Sequence, residues 1–153
     1  MLSKFRYLIV IIFILVIPIF IMNRVLDNKN SRPYVRINSV KIPVEVAADA
    51  ATQQKGLSGR VSLDAQSGML FIFDKSAIYT FWMPDMNFPI DIIWINDNKV
   101  IDISANVSND FDPQNPDFYE PVEPAQYILE VNAGFSEKEN IKIGDTVSLI
   151  NIK

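Results

Sequence analysis

A single carboxylate interrupts the run Phe88-Pro89-Ile90-Asp91-Ile92-Ile93-Trp94-Ile95, which is otherwise apolar on both of its alternating faces. Such a segment reads as a strand buried on both sides, where an ionised carboxylate is costly unless paired or hydrogen-bonded. Arg60 is the expected partner, because a guanidinium can grip a carboxylate through two hydrogen bonds. Two readings of that pair stand side by side. In one, Arg60 and Asp91 face a ligand as a polar centre; in the other, they are an internal clamp tying a loop to the sheet. Just upstream, Phe81-Trp82-Met83 would place Trp82 on the face opposite Phe81 and Met83 if the segment is extended. These three side chains read first as core. If one face opens on a groove, an indole in a shallow polar cleft suits stacking against a saccharide, and Asp85, Tyr119 and Glu120 would supply hydrogen bonds around it.

Two absences narrow the chemistry: the chain has no His and no Cys. Imidazole bases, thiolate nucleophiles, the usual nitrogen and sulfur zinc sites, and disulfides are thereby excluded. Paired carboxylates of the kind that cleave glycosides are the familiar catalytic device that remains. Asp85 and Asp91 are candidates, although their spacing in sequence fixes no distance between the carboxyl groups. Asp110-x-Asp112-x-Gln114 with Asp117 loosely resembles a calcium loop. Asn115 stands where that loop needs Gly, and Pro113 and Pro116 interrupt it, so the fit is poor. No metal and no cofactor are expected.

The elements that must position these side chains are mostly strands. Apolar and polar residues alternate through Tyr34 to Ala47, the period-2 pattern of a half-buried strand. Further strands are expected at Gly68 to Phe73, Tyr79 to Met83, Ile90 to Asn96, Lys99 to Val107, Gln126 to Asn132 and Thr146 to Ile152. Asp97-Asn98 suits a tight hairpin turn. Asp49 would cap a short helix over Ala50 to Gly56, and one helical turn is expected over Ser136 to Asn140. The expected fold is mainly β: a compact barrel-like or sandwich domain of six to seven short strands with two short helices. Asn109 to Pro124, with four prolines and five acidic residues, is a long irregular stretch that reads either as a lid or rim of that domain or as a solvated insertion.

Ahead of the domain, Lys4 and Arg6 precede Tyr7 to Met22, sixteen residues apolar except for Pro18. As a helix this run is about 24 Å long, and it reaches across a hydrocarbon layer of about 30 Å with local thinning and snorkelling of its flanking basic residues. The exit, Pro18-Ile19-Phe20-Ile21-Met22-Asn23-Arg24, lacks the small residues of a signal-peptidase site. The expected organisation is a single-pass membrane anchor at 1–24, a linker at 25–33 and a β-rich domain at 34–153. The bilayer is then a partner through Tyr7 to Met22, and the signal-anchor layout puts the domain on the extracytoplasmic side of the cell membrane. From Pro33 on, nine basic and seventeen acidic residues give a net charge of −8 (9 − 17). That surface repels phosphate backbones, so nucleic acid is not an expected partner.

Several ordered motifs carry a family resemblance: Gly56-Leu57-x-x-Arg60, Gly68-Met69-Leu70-Phe71-Ile72-Phe73, Phe81-Trp82-Met83, Pro89-Ile90-Asp91-Ile92, then Tyr127-Ile128-Leu129-Glu130 and Ile143-Gly144-Asp145. Together they resemble the domain of unknown function 192 family over roughly Val40 to Ile150. The resemblance implies a small, mostly β domain, often behind a signal peptide or anchor, and no agreed activity. This chain departs from the family pattern in two places. Ser58 follows Gly-Leu where Met is common, and Pro84-Asp85-Met86 follows Phe-Trp-Met where Lys, Asn and a small hydroxyl residue are usual. The expected function is a binding or interaction module for a saccharide, another envelope component or a protein partner, with Arg60, Trp82, Asp85, Asp91 and Tyr119 as ligand-binding residues. The alternative is a carboxylate-based hydrolase acting on a glycan or envelope substrate.

Overall fold

Strands that alternate apolar and polar residues, with one that is apolar on both faces, give this sheet two faces to bury, and the chain curls to bury both. The computed structural model describes residues 32–152; the expected span at Tyr7 to Met22 and most of the linker lie outside the described residues. β1 (Tyr34–Ile37) and β2 (Val40–Ala47) form a hairpin, and α1 (Ala50–Lys55) follows. β3 (Gly68–Ala77) lies parallel to β2, while β4 (Ile90–Asn96), β5 (Lys99–Val107) and β6 (Ala125–Asn132) pair antiparallel with their neighbours. α2 (Phe135–Lys138) and β7 (Val147–Ile150) complete the order β5-β4-β6-β3-β2-β1-β7, one seven-stranded half-barrel sheet.

Its two edge strands approach each other at one end. The amide of Val100 donates to the carbonyl of Asp145 at 3.0 Å, Gly144 to Val100 at 2.7 Å and Val147 to Asn98 at 2.8 Å. These bonds occupy edge groups that would otherwise be open to another strand. The expected hairpin at Asp97-Asn98 is present, with φ of 46° and 60° at the two residues, as a two-residue turn matched to strand twist requires.

Curling the sheet creates two cores. Val35, Ile42, Leu70, Ile93, Ile95 and Leu129 belong to the concave one, which draws on every strand of the sheet. Leu57, Met69, Phe71, Ile92, Trp94 and Ile128 belong to the convex one, beneath the loops that follow α1 and β3. β4 is therefore buried on both faces. One expected strand did not form: of Tyr79 to Met83, only Phe81 pairs, in a single bridge to Tyr119 with both bonds at 2.8 Å. The prolines account for this, since Pro121, two residues beyond Tyr119, has no N–H with which to extend the ladder.

Asp91 is completely buried, but its partner is not Arg60. Its Oδ1 accepts from the amides of Asn106 at 2.8 Å and Gly134 at 3.1 Å, and its Oδ2 from the amide of Ser136 at 2.8 Å. Asp91 shares the concave face with Ile93 and Ile95, and its carboxylate reaches the first turn of α2. Three amides, two of them at a helix start, compensate the cost of burying it. Arg60 belongs to the convex side, so the sheet itself separates the pair expected from the sequence. Asp91→Ala leaves three amides without an acceptor and is expected to lower the unfolding free energy by about 3–5 kcal/mol. Urea denaturation measures this, and a loss under about 1 kcal/mol, the scale of one ordinary hydrogen bond, contradicts the clamp.

Candidate functional site

The convex face owes its shape to a short helix and two turns. Asp49 caps α1 by accepting from the amides of Ala51 and Thr52, both at 3.0 Å, and Gln53 ties the helix to β3 by donating to the carbonyl of Ile72 at 2.7 Å. α1 stops at Gly56, whose φ of +49° suits glycine, and whose absent side chain would come within 3.2 Å of the Phe71 ring. The chain then turns through Leu57 to Arg60 and is laced to a second turn at Pro84 to Asn87. Ser58 Oγ donates to the carbonyl of Pro84 at 2.8 Å, the Gly59 amide to the carbonyl of Asp85 at 2.8 Å, and Asn87 Nδ2 to the carbonyl of Arg60 at 2.9 Å. The two departures from the family pattern, Ser58 and Pro84-Asp85, thus contact each other. Asp85 sits at φ +54°, a conformation that aspartate tolerates better than most residues.

Between these turns and the sheet lies a cavity of about 480 Å³. Aromatic rings form much of its wall: Phe71 meets Phe81 edge to face with centroids 5.0 Å apart, and Tyr79 stacks on Phe73 at 3.7 Å. Phe81 in turn meets Trp94 edge to face at 5.5 Å, and the Trp94 indole donates to Ser104 Oγ at 3.1 Å. Trp82 lines the cavity while remaining 53% exposed. Beside it, Phe111 and Phe118 of the proline-rich stretch lie with ring centroids 5.7 and 6.5 Å away. That stretch is a rim against the cleft, held by the Phe81 to Tyr119 bridge and by a 2.6 Å bond from Thr80 Oγ1 to Glu120.

Glu130 is the polar group deepest in the cavity wall. It is 6% exposed, and its Oε2 has no hydrogen-bond partner. Strand register explains its position: Glu45 of β2 is opposite Met69 of β3, Met69 is opposite Glu130 of β6, and Glu130 is opposite Ile92 of β4. All four share the convex face, so Glu130 stands between two apolar neighbours. Gly68 fits the close approach of β3 to β6 here, since a Cβ on it would lie 2.7 Å from the Glu130 carbonyl oxygen. Burial pushes the Glu130 carboxyl up to about 8, against a smaller opposing pull from the charge of Arg60. Arg60 is gripped at both guanidinium nitrogens by Glu45, at 2.6 and 2.8 Å. That bond holds Glu45 below the usual carboxylate range and Arg60 above its own.

Of the five residues singled out in the sequence, Trp82 and Asp85 line the cavity. Tyr119 packs behind Phe81 in the convex core, its hydroxyl pushed up by burial and by the charge of Asp117. Arg60 acts on Glu130 through its charge, and Asp91 is sealed on the other side of the sheet. Among the described residues no three acidic side chains converge to hold a metal ion; Asp112 instead accepts from the Gln114 amide at 2.8 Å. Glu130 was not singled out, although it interrupts an apolar strand just as Asp91 does.

The model of the domain of unknown function 192 family, described as "Uncharacterized ACR", matches residues 34–149. A protein of unknown function from Novosphingobium aromaticivorans DSM 12444 is similar in structure, with a TM-score of 0.69 and 28% identity, over 80% of this chain and 96% of that one. A Sinorhizobium meliloti 1021 protein, described as a proposed transcription regulator, is similar with a TM-score of 0.68 and 27% identity, over 77% of this chain and 92% of that one. No curated protein matches the chain.

The buried carboxyl makes stability depend on pH with a definite sign. Below its ordinary value of 4.5 Glu130 is protonated in both the folded and unfolded chain. Between 4.5 and about 8 only the unfolded chain ionises, so stability falls as pH rises through that window, and the loss is complete above it. Glu130→Gln is expected to flatten this decline and to exceed the wild type at high pH by a few kcal/mol, at about 1.4 kcal/mol per tenfold change in proton affinity. Thermal unfolding of both chains across the window checks it; parallel pH profiles contradict it.

Proposed function

The chain belongs to the domain of unknown function 192 family, and from the cleft it carries we propose that it is a binding module for a small, uncharged amphipathic ligand, with an envelope saccharide as the favoured class. The observation that carries this reading is the joining of an exposed indole to a cavity whose wall is aromatic and whose deepest polar group is the Glu130 carboxyl. Sugars present an apolar face for ring stacking and hydroxyls for hydrogen bonds, and this lining offers both kinds of contact. Trp82 is the stacking platform, and Asp85 and Glu130 are the polar contacts. The apolar run at Tyr7 to Met22 would hold the module to the bilayer from its extracytoplasmic side, where such ligands are found. Electrostatics disfavour a role on DNA, because the net charge of −8 from Pro33 on repels a phosphate backbone.

A carboxylate-based hydrolase is the second reading, and a specific observation favours it. Asp85 and Glu130 line one cavity, and burial keeps Glu130 protonated near neutral pH, as a general acid requires.

Titration of the full chain in detergent micelles with tri-N-acetylchitotriose, followed by tryptophan fluorescence, separates these readings. Saturable quenching is expected, lost in Trp82→Ala, because Trp94 is fully buried and acts as a spectator. The sugar should be recovered intact. Release of shorter sugars decides for the hydrolase, and the absence of any quenching at millimolar sugar contradicts the saccharide reading.

A further inference from the structure

A binding cleft whose innermost polar group is a carboxyl faces a choice of charge, and the surroundings of Glu130 decide it. Among the described residues, the side chain is more than nine-tenths buried, lines the cavity and leaves Oε2 without a partner. Its partners across the strands, Met69 and Ile92, are both buried and apolar. The charged groups that face it from the other elements are few. Arg60 comes from the turn after α1 but is committed to Glu45 on β2, with two bonds at 2.6 and 2.8 Å. Lys55 of α1 and Asp85 of the second turn line the same cavity, both exposed. No hydrogen bond joins any of these side chains to Glu130 among the described residues. An unpaired carboxylate in such a place carries a heavy desolvation cost, whereas a neutral carboxyl carries little and has a proton to give.

Resting on the saccharide reading above, we propose that Glu130 is the recognition group at the floor of the cleft and acts as a hydrogen-bond donor, selecting an uncharged acceptor such as a sugar hydroxyl or acetamido carbonyl. Arg60, pinned by Glu45, contributes only its charge, which opposes part of the effect of burial on Glu130. The direction of the Glu130 shift, up to about 8, agrees with a donor present at neutral pH. A cleft built this way loses its donor as the solution becomes alkaline. An anionic ligand would have to shed its hydration against an apolar wall where Arg60 is already committed to Glu45, which favours an uncharged acceptor.

The test is calorimetric titration of the full chain in micelles with tri-N-acetylchitotriose at about pH 6 and about pH 9.5, for the wild type and Glu130→Gln. Binding to the protonated form alone predicts an affinity about 30-fold weaker at the higher pH, the inverse of the neutral fraction left for a group titrating near 8. Glu130→Gln keeps a donor that does not ionise, so its affinity should be nearly the same at both pH values and close to that of the wild type at the lower one. Wild-type affinity that is unchanged with pH, or that falls equally in Glu130→Gln, overturns the donor role while leaving the saccharide reading standing. Tighter wild-type binding at the higher pH overturns it as well, because it assigns the recognition to the carboxylate. Absence of binding at both pH values overturns the saccharide reading and the donor role with it.

Discussion

An acidic side chain inside a sheet covered on both faces must either be compensated by hydrogen-bond donors or give up its charge, and this fold contains one residue of each kind. Asp91 and Glu130 lie on neighbouring strands, and each is almost wholly enclosed. Three backbone amides converge on Asp91, so its burial organises the start of α2 and the end of β5 around it. Glu130 faces the other way, between Met69 and Ile92, and its Oε2 has no donor. The same desolvation cost thus makes one carboxyl a structural clamp and the other a neutral group at the wall of a cavity.

The cleft lies on the convex face, while the concave face is packed with apolar side chains. Side chains from all seven strands fill the concave side, and the edges β5 and β7 are tied across it. On the convex side, loops take the place of a second sheet, and their prolines and left-handed residues keep them from completing a ladder. The hydrogen bonds between the Ser58 turn and the Pro84 turn lace those two loops to each other beside the cavity. Both turns carry this chain's departures from the family pattern, so Ser58, Pro84, Asp85 and Met86 all fall in the cavity wall.

Much of the scaffold was legible in the sequence. Period-2 alternation located β1 and β2, Asp49 marked the start of α1, and Asp97-Asn98 marked a turn, because each depends on local geometry alone. What depends on pairing at a distance was not legible. Tyr79 to Met83 has the composition of a strand, yet it meets a proline-rich stretch in a single bridge, Phe81 to Tyr119. The anomaly of a carboxylate in the β4 run was read correctly as costly, but its donors are backbone amides, which no side-chain pattern announces. Glu130 breaks the run Tyr127-Ile128-Leu129-Glu130-Val131 in the same manner, and the argument applied to Asp91 would have found it. Which of the two is compensated could be decided only by the strand order that places β6 beside β3 and sends Glu130 to the convex face.

That a neutral carboxyl stands in the wall of the aromatic cleft is tested most directly by titrating the glutamate side-chain carboxyls by carbon-13 NMR. The full chain in micelles serves, with Glu130→Gln to assign the resonance. One glutamate signal, missing in the variant, should titrate with a midpoint near 8, far above the ordinary carboxylate range. A Glu130 resonance that titrates with the other glutamates, near the ordinary value of about 4.3, would contradict the division of roles between the two buried acids.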